Sequence, residues 1–241
     1  MKDRKKRLRF MGLLLAVFLL CLGAVLLLEH RSAPAFARME EQTLIIDPGH
    51  GGEDGGAVSV SGQLESEINL SIALQLDQLM GFYGVHTMLT REEDCSIHDQ
   101  DAQTIREKKV SDLHNRVARV NGVENATLIS IHQNSYPNQR YHGTQVFYGD
   151  GAGSQALARK IQETIHTSLD PQNTRKPQHI QSSVYLMNHI TCRAVLTECG
   201  FLSNPEEDRL LQEKAYQMKL AMVLGACYVC SEETEEGGSL I

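Results

Sequence analysis

From Thr43 onward the chain alternates short β-rich apolar runs with longer segments whose apolar positions recur every three or four residues. Thr43–Asp47 (TLIID) predicts a buried strand that runs into Pro48, Gly49 and a cluster of glycines, the mark of a strand feeding a loop. Ile68, Ile72, Leu76 and Leu79 predict a helix between Glu65 and Phe82, and Val85–Thr90 alternates as the next strand. Arg91–Lys109 is polar and reads as loop; Leu113, Val117 and Val120 then mark a second amphipathic helix, and Ala126–His132 (ATLISIH) a buried strand. Further on, Gly143–Gly149 reads as a strand, Ser154–Leu169 as a helix, Val184–Met187 and Ala194–Glu198 as strands, and Glu206 to Val229 as one closing helix. There is no internal repeat. Apolar strands interleaved with helices predict a single α/β domain: a mostly parallel twisted sheet with helices on both faces. Such sheets bind ligands beyond the carboxyl ends of their strands.

The pattern breaks at both ends. Met11–Leu28 is an uncharged, almost wholly apolar run of 18 residues, roughly 27 Å of helix and nearly enough to span a bilayer. Lys2, Arg4, Lys5, Lys6, Arg7 and Arg9 precede it against one acidic residue, Asp3. By the positive-inside rule this places everything after Leu28 outside the cytoplasmic membrane. Ala35-Phe36-Ala37 offers a small-x-small cleavage site. Residues 1–37 therefore read as a signal peptide or an uncleaved membrane anchor, 38–42 as a linker, 43–230 as the working domain and 231–241 (SEETEEGGSLI) as a disordered acidic tail. A buried core helix does not fit the first segment, which has no amphipathic face.

Hydrophobic residues at 41% and charged residues at 22% are those of a globular chain. With no Trp, 5% aromatics and a net charge of −7, it lacks the basic footprint and stacking platforms of a nucleic-acid binder. Without residues 1–37 it keeps 16 basic and 28 acidic residues, a net −12, which on average repels anionic cell-surface polymers. Outside the apolar run, Cys95, Cys192, Cys199, Cys227 and Cys230 are an odd, irregular set that makes no disulfide framework, so stability is expected from the core. Cys227 and Cys230 have C-x-x-C spacing but lie near the end of an apolar helical stretch, and read as buried small side chains.

The candidate chemistry is positional. His50 lies just past the first strand, His132 ends ATLISIH and Glu198 ends AVLTE, so all three face one rim. Glu65 opens the first helix, 15 residues after His50, across a Gly-rich loop that can fold back to that rim. Two imidazoles and a carboxylate make a hydrolytic zinc set with a fourth position open, and a second carboxylate can move protons. Each residue alone is no more than a hydrogen-bonding side chain; the argument lies in the set. Glu67, Glu53 and Asp54 compete with Glu65, and spacing does not choose between them. His98, His114, His142, His179 and His189 sit in polar contexts that suit a solvated surface. Gly49–Gly56 lacks both the Gly-Lys-Ser/Thr ending and the G-x-G-x-x-G order of a phosphate loop. Asn134, two residues past His132, suits either substrate positioning or an ordinary turn.

In order, IIDPGHGGEDGGAV, LESEINLSIALQL, MLTREED, SIHQNS and VLTECGFLSNPEED resemble segments of the zinc-dependent N-acetylmuramoyl-L-alanine amidases of the Amidase_3 family, over about residues 43–230. Members are recognised by a strand ending in D-x-G-H-G-G, a Glu opening the next helix, S-I-H-x-N, and E-x-G-F-x-S-N. The resemblance implies that His50, Glu65 and His132 hold Zn2+, that Glu198 is the catalytic carboxylate, and that Glu67 is a second acidic position that holds no metal. Pro48 stands where a small residue is common, and the glycine loop is about one residue longer before Glu65; neither departure removes a metal-binding atom. The implied reaction is hydrolysis of the peptidoglycan amide between N-acetylmuramic acid and L-alanine, with zinc the only cofactor. The same donor logic would serve an endopeptidase or carboxypeptidase of the wall, whereas a non-enzymatic wall-binding protein on this fold would not need the four-residue set. The run Ser183–Asp208 and the lack of wall-binding repeats look most like the amidase that spore formers use to prepare cortex muramic-δ-lactam, the alternative being a vegetative autolysin. The implied partners are peptidoglycan and, if the N-terminal segment is uncleaved, the cytoplasmic membrane; in the sporulation case the location is the forespore intermembrane space. An accessory exported protein would leave no signature in the sequence.

Overall fold

The computed structural model describes residues 42–234 and, within a separate unit Met1–Glu40, only Leu19, Leu20 and Gly23, which are helical. The apolar run 11–28 and the linker from 38 thus lie almost wholly outside the described residues, as does the chain after Thr234. No helix among the described residues is long and apolar enough to cross a membrane.

Strand β1 (Thr43–Pro48) lies inside a six-stranded sheet between β2 (His86–Leu89) and β3 (Ala126–Asn134), and β3 pairs with β6 (Arg193–Phe201). These four strands are parallel. Strand β4 (Gln145–Tyr148) pairs antiparallel with β6, and the two-residue β5 (Gln178–His179) completes the order β2-β1-β3-β6-β4-β5. Leu44, Ile45, Ile46, Leu128, Ile129, Ile131, Ala194 and Val195 are fully buried, because helices cover both faces and leave no side for polar alternation.

On one face α1 (Glu65–Phe82) buries Ile68, Ile72, Ala73, Leu76 and Met80 over β1, β2 and β3. Helix α6 (Lys214–Thr234) packs on α1 and on α3 (Ser154–Ser168). On the other face α2 (Ile105–Asn121) packs with the short α4 (Tyr185–His189), and Ile45, Val120, Leu128, Leu186, Met187 and Leu196 form one buried cluster. Side chains two apart on a strand share a face. The face that carries Ile45, Leu128 and Leu196 therefore also carries Asp47, Ser130, His132 and Glu198.

The structure corrects several sequence expectations. Val184–Met187 is no strand: Tyr185–His189 forms α4, fixed by Asn188, whose side chain donates to the Val184 and Gln181 carbonyls. Four apolar residues carry too little period to separate strand from helix. The stretch read as loop to Lys109 contains the start of α2 at Ile105, where Thr104 and Glu107 form a capping box. The closing helix is two helices, α5 (Pro205–Gln212) and α6, separated by an extended Glu213. Helix α6 continues to Thr234, past the expected start of the tail. In α2 the buried stripe is Asp112, Arg116 and Val120, while Leu113 is 36% exposed. Cys227 is buried but Cys230 is exposed, and all five cysteines of the described residues are free.

Candidate active site

The site forms where β1, β3 and β6 end. Gly49 continues the β1 pairing by donating its N–H to the Ile131 carbonyl at 3.0 Å. His50 then turns into the left-handed region at φ +62°, a conformation uncommon outside glycine and held by surrounding contacts. Arg116 on α2 supplies part of that hold, donating to the His50 carbonyl at 2.7 Å and the Pro48 carbonyl at 2.9 Å. Arg91, buried, donates to the carbonyls of Pro48, Gly49 and Ser66 at 2.8–3.0 Å, tying the loop to the start of α1. The loop folds back through Glu65 N–H to the Ala57 carbonyl (2.9 Å) and Ser66 N–H to the Gly55 carbonyl (3.1 Å). Glu65 reaches the rim by this route.

Glu65 is 4% exposed and both its carboxylate oxygens are engaged. One oxygen, Oε2, accepts the Ala57 N–H at 2.9 Å; Oε1 accepts the Gln133 N–H at 3.1 Å. Oε1 also lies 3.0 Å from His132 Nδ1 and 3.3 Å from His50 Nε2. The two imidazoles stand edge to face at 5.0 Å. One donor atom from each of His50, Glu65 and His132 lies within 4.8 Å of the others, a group able to hold a metal ion. Glycine makes the space: a Cβ on Gly49 would fall 2.2 Å from His132 Cε1, and one on Gly56 2.6 Å from Glu65 Oε2.

The charges follow from this pairing. Burial disfavours a protonated His50, but its bonds to Asp54 and Glu65 outweigh that and bring it up to about 9. Burial opposes the Glu65 charge too, yet the two imidazoles hold its carboxyl well below the usual range. Glu198 pairs in register with His132 across β3 and β6. Burial pushes it up to about 7, with His132 and His50 pulling down and Glu65 adding to the rise. Its Oε2 is buried without a hydrogen-bond partner. Glu198, His50, His132 and Asp54 line a cavity of about 270 Å³ whose other wall is Leu113, Val184, Tyr185 and Leu186.

All four residues singled out in the sequence therefore meet at one rim, and of the acidic residues that compete it is Glu65 that stands against both histidines. Glu67 is exposed and takes a hydrogen bond from Gln63, away from the histidines. Glu53 pairs with Lys108. Asp54 accepts from His50 Nδ1 at 3.0 Å and pairs with Lys109 at 2.7 Å, so it orients His50 and leaves Nε2 facing Glu65. Asn134 sits half-buried at the irregularity beyond His132, its carbonyl taken by the Leu202 N–H. Sequence reasoning missed Asp47, Arg116 and Arg91, the buried charges beneath the loop. Arg116 pairs with Asp47 at 2.5 Å and Asp112 at 2.6 Å. The i,i+4 spacing of Asp112 and Arg116 was the available signal.

Residues 44–225 match the Amidase_3 family, N-acetylmuramoyl-L-alanine amidase. The chain is 37% identical over 179 residues, 74% of each chain, to the germination-specific N-acetylmuramoyl-L-alanine amidase of Bacillus subtilis. Among solved structures it is similar to the CwlD amidase of Clostridioides difficile, determined in complex with the GerS lipoprotein. That likeness has a TM-score of 0.75 and 35% identity, covering 78% of this chain and 97% of that one. An N-acetylmuramoyl-L-alanine amidase from Clostridium difficile 630 aligns with TM-score 0.69 and 26% identity over 80% of this chain and 98% of its own. With the matched segment spanning every strand of the sheet and both histidines, the chain belongs to the Amidase_3 family of N-acetylmuramoyl-L-alanine amidases.

Proposed function

We propose that the enzyme is zinc-dependent and hydrolyses the amide between the lactyl group of N-acetylmuramic acid and L-alanine, with His50, Glu65 and His132 holding the metal and Glu198 moving protons. The observation that carries this is the convergence of the three donor atoms within 4.8 Å at the strand ends. Two nitrogens and one carboxylate oxygen fit zinc and leave a fourth position open. When bound, zinc supplies a Lewis acid that polarises the amide carbonyl and lowers the pKa of water to about 7. Asp54 holds the His50 ring, and the N–H groups of Ala57 and Gln133 hold Glu65, so the donors are set before substrate arrives. Glu198, with its Oε2 unpartnered and its carboxyl raised by burial, is suited to take a proton from the attacking water and return it to the amine leaving on L-alanine. Such proton transfer contributes roughly 10² to 10⁴ in rate.

The sporulation reading, peptide removal that prepares cortex muramic-δ-lactam, is supported by the likeness to the germination-specific amidase. The basic flank and apolar run of residues 2–28 support an exported domain, anchored or released. By analogy with the CwlD–GerS complex, an exported accessory protein is proposed as a partner. Mass spectrometry of peptidoglycan digested by the zinc-loaded protein tests the reaction: a free lactyl carboxylate and a new L-alanine amino terminus are expected, and a cut within the peptide would replace this reading. Loss of cortex muramic-δ-lactam on gene deletion, rather than chains of unseparated cells, is the expected physiological result. Protease added to spheroplasts should digest the domain.

A further inference from the structure

Beside the cleft lies a patch that hydrolysis leaves unused. Because β4 runs antiparallel to β6, the segment before Gln145 emerges at the rim that carries Glu198, its register partner. Tyr136 and Tyr141 in this segment are 51% and 44% exposed and stand edge to face at 4.7 Å. Tyr141 also stacks on Phe201, and from the loop before β5 Arg175 lays its guanidinium 4.8 Å over the same Phe201 ring. Buried Asn173 fixes that loop by donating to the Thr144 carbonyl at 2.9 Å and accepting the Arg175 N–H at 3.0 Å. Between the two segments is a hollow of about 280 Å³ lined in part by Arg140, Tyr141, His142 and Arg175.

This ledge is locally basic on an acidic domain. Lys108, Lys109 and Arg116 are all paired with carboxylates, whereas the bonds of Arg140 and Arg175 among the described residues go to backbone carbonyls and Asn side chains, none to a carboxylate. The nearby Glu207 is turned to the N–H groups of Gly143 and Phe201. Guanidinium forks match carboxylates and bind them in two-pronged fashion. The sugar half of the substrate has no carboxylate while its lactyl group is amidated; the stem peptide carries several.

We propose that the ledge of Arg140, Tyr141 and Arg175 is a binding subsite for the carboxylate-bearing residues of the stem peptide beyond L-alanine. The inference rests on the amidase reading of the cleft. The reach agrees: Tyr141 precedes Gln145 by four residues, at most roughly 13 Å of extended chain from the level of Glu198, and three to four residues of extended peptide span roughly 10–14 Å. The tyrosine rings would cover the aliphatic part of the peptide while the guanidiniums take its carboxylates.

The test is calorimetric titration of the full chain with the free tripeptide L-alanyl-γ-D-glutamyl-meso-diaminopimelate, a readout independent of turnover. The Arg140 side chain makes no hydrogen bond or ion pair among the described residues, so its replacement should leave the fold intact. Arg140→Ala should weaken tripeptide binding about tenfold, the loss expected for a charged hydrogen bond. Arg140→Glu should weaken it further, Arg140→Lys less, and wild-type binding should weaken with salt. Arg159→Glu, the same charge change on the exposed side of α3, should bind as wild type. In kinetics, the KM for muramoyl-tripeptide should rise in Arg140→Glu by more than tenfold relative to that for muramoyl-L-alanine. Unchanged tripeptide affinity in Arg140→Glu, or an equal KM rise for both substrates, would overturn the subsite. Tripeptide binding that depends on Arg140 in a protein that cuts neither substrate would uphold the subsite and overturn the amidase reading instead.

Discussion

At the scale of single residues, the proposed roles follow how each carboxylate is bonded. Glu65 is bonded through both oxygens to the loop, to β3 and to both imidazoles, whereas Glu198 leaves an oxygen without a partner. Glu198→Gln keeps shape but cannot accept a proton, so zinc content and melting temperature should stay near wild type while turnover falls by roughly 10² or more. Zinc lost from this variant would make Glu198 a ligand; lost stability with retained turnover would make it structural. Glu65→Gln should instead lose zinc and turnover together, and Glu67→Gln, on an exposed carboxylate bonded among the described residues by Gln63, should change neither appreciably. That His50, His132 and Glu198 share a rim was readable in the sequence because each lies within three residues of the end of an apolar strand, and strand ends define a rim. The choice of Glu65 over Glu67, Glu53 and Asp54 was not, since a carboxylate's role depends on how the glycine loop folds. That loop is held by Arg91 and Arg116, whose partners in β1, the loop and the start of α1 lie 25 to 69 residues away.

At the scale of elements, strands buried on both faces were read well because their apolar runs are uninterrupted, and long helices because their period is sustained. What escaped was set by tertiary contact: the break at Glu213 carries no Gly or Pro, and the side chain of the buried Gln217 donates to the Leu211 carbonyl across it. Two joints between elements make predictions. Gly49 lets β1 pass beneath the His132 ring, so Gly49→Ala should displace the imidazole and cut zinc retention sharply while circular dichroism stays native-like. Asp47 pins β1 to α2 through Arg116 and also accepts from Thr90 and Ser130. Burial alone would raise its carboxyl, but Arg116 and the two hydroxyls hold it down to about 2, against 3.8 unperturbed. A depressed carboxylate stabilises the fold above its unfolded pKa and loses that contribution as pH falls through the folded value. Here this amounts to about 2 kcal/mol, lost between roughly pH 4 and 2. Asp47→Asn should cost about 3–5 kcal/mol at neutral pH, as expected for a broken buried pair, and should flatten the acid limb of the stability–pH curve over that window. An acid limb identical to wild type would remove Asp47 from this role.

At the scale of the whole molecule, the described cysteines are free and apolar side chains are buried on both faces of the sheet, so apolar burial carries stability and the proposed metal site lies at one edge. The donors are also tied to one another and to the fold, with Glu65 between His50 and His132 and Asp54 behind. The fold should therefore survive chelation, unlike that of a small domain built around its metal. Zinc binding to the folded state alone stabilises by about 4 kcal/mol when free zinc is a thousandfold above Kd. For a domain of this size that corresponds to a melting-temperature difference of roughly 8–16 °C. Exhaustive chelation should lower the melting temperature by that order with far-ultraviolet circular dichroism at 25 °C unchanged, and one equivalent of zinc should restore both the temperature and the activity. His132→Ala should melt at the same temperature with and without zinc. A melting temperature indifferent to chelation in the wild type would mean that the donors at the ends of β1 and β3 pair only with one another, and the metal assignment would fall with it.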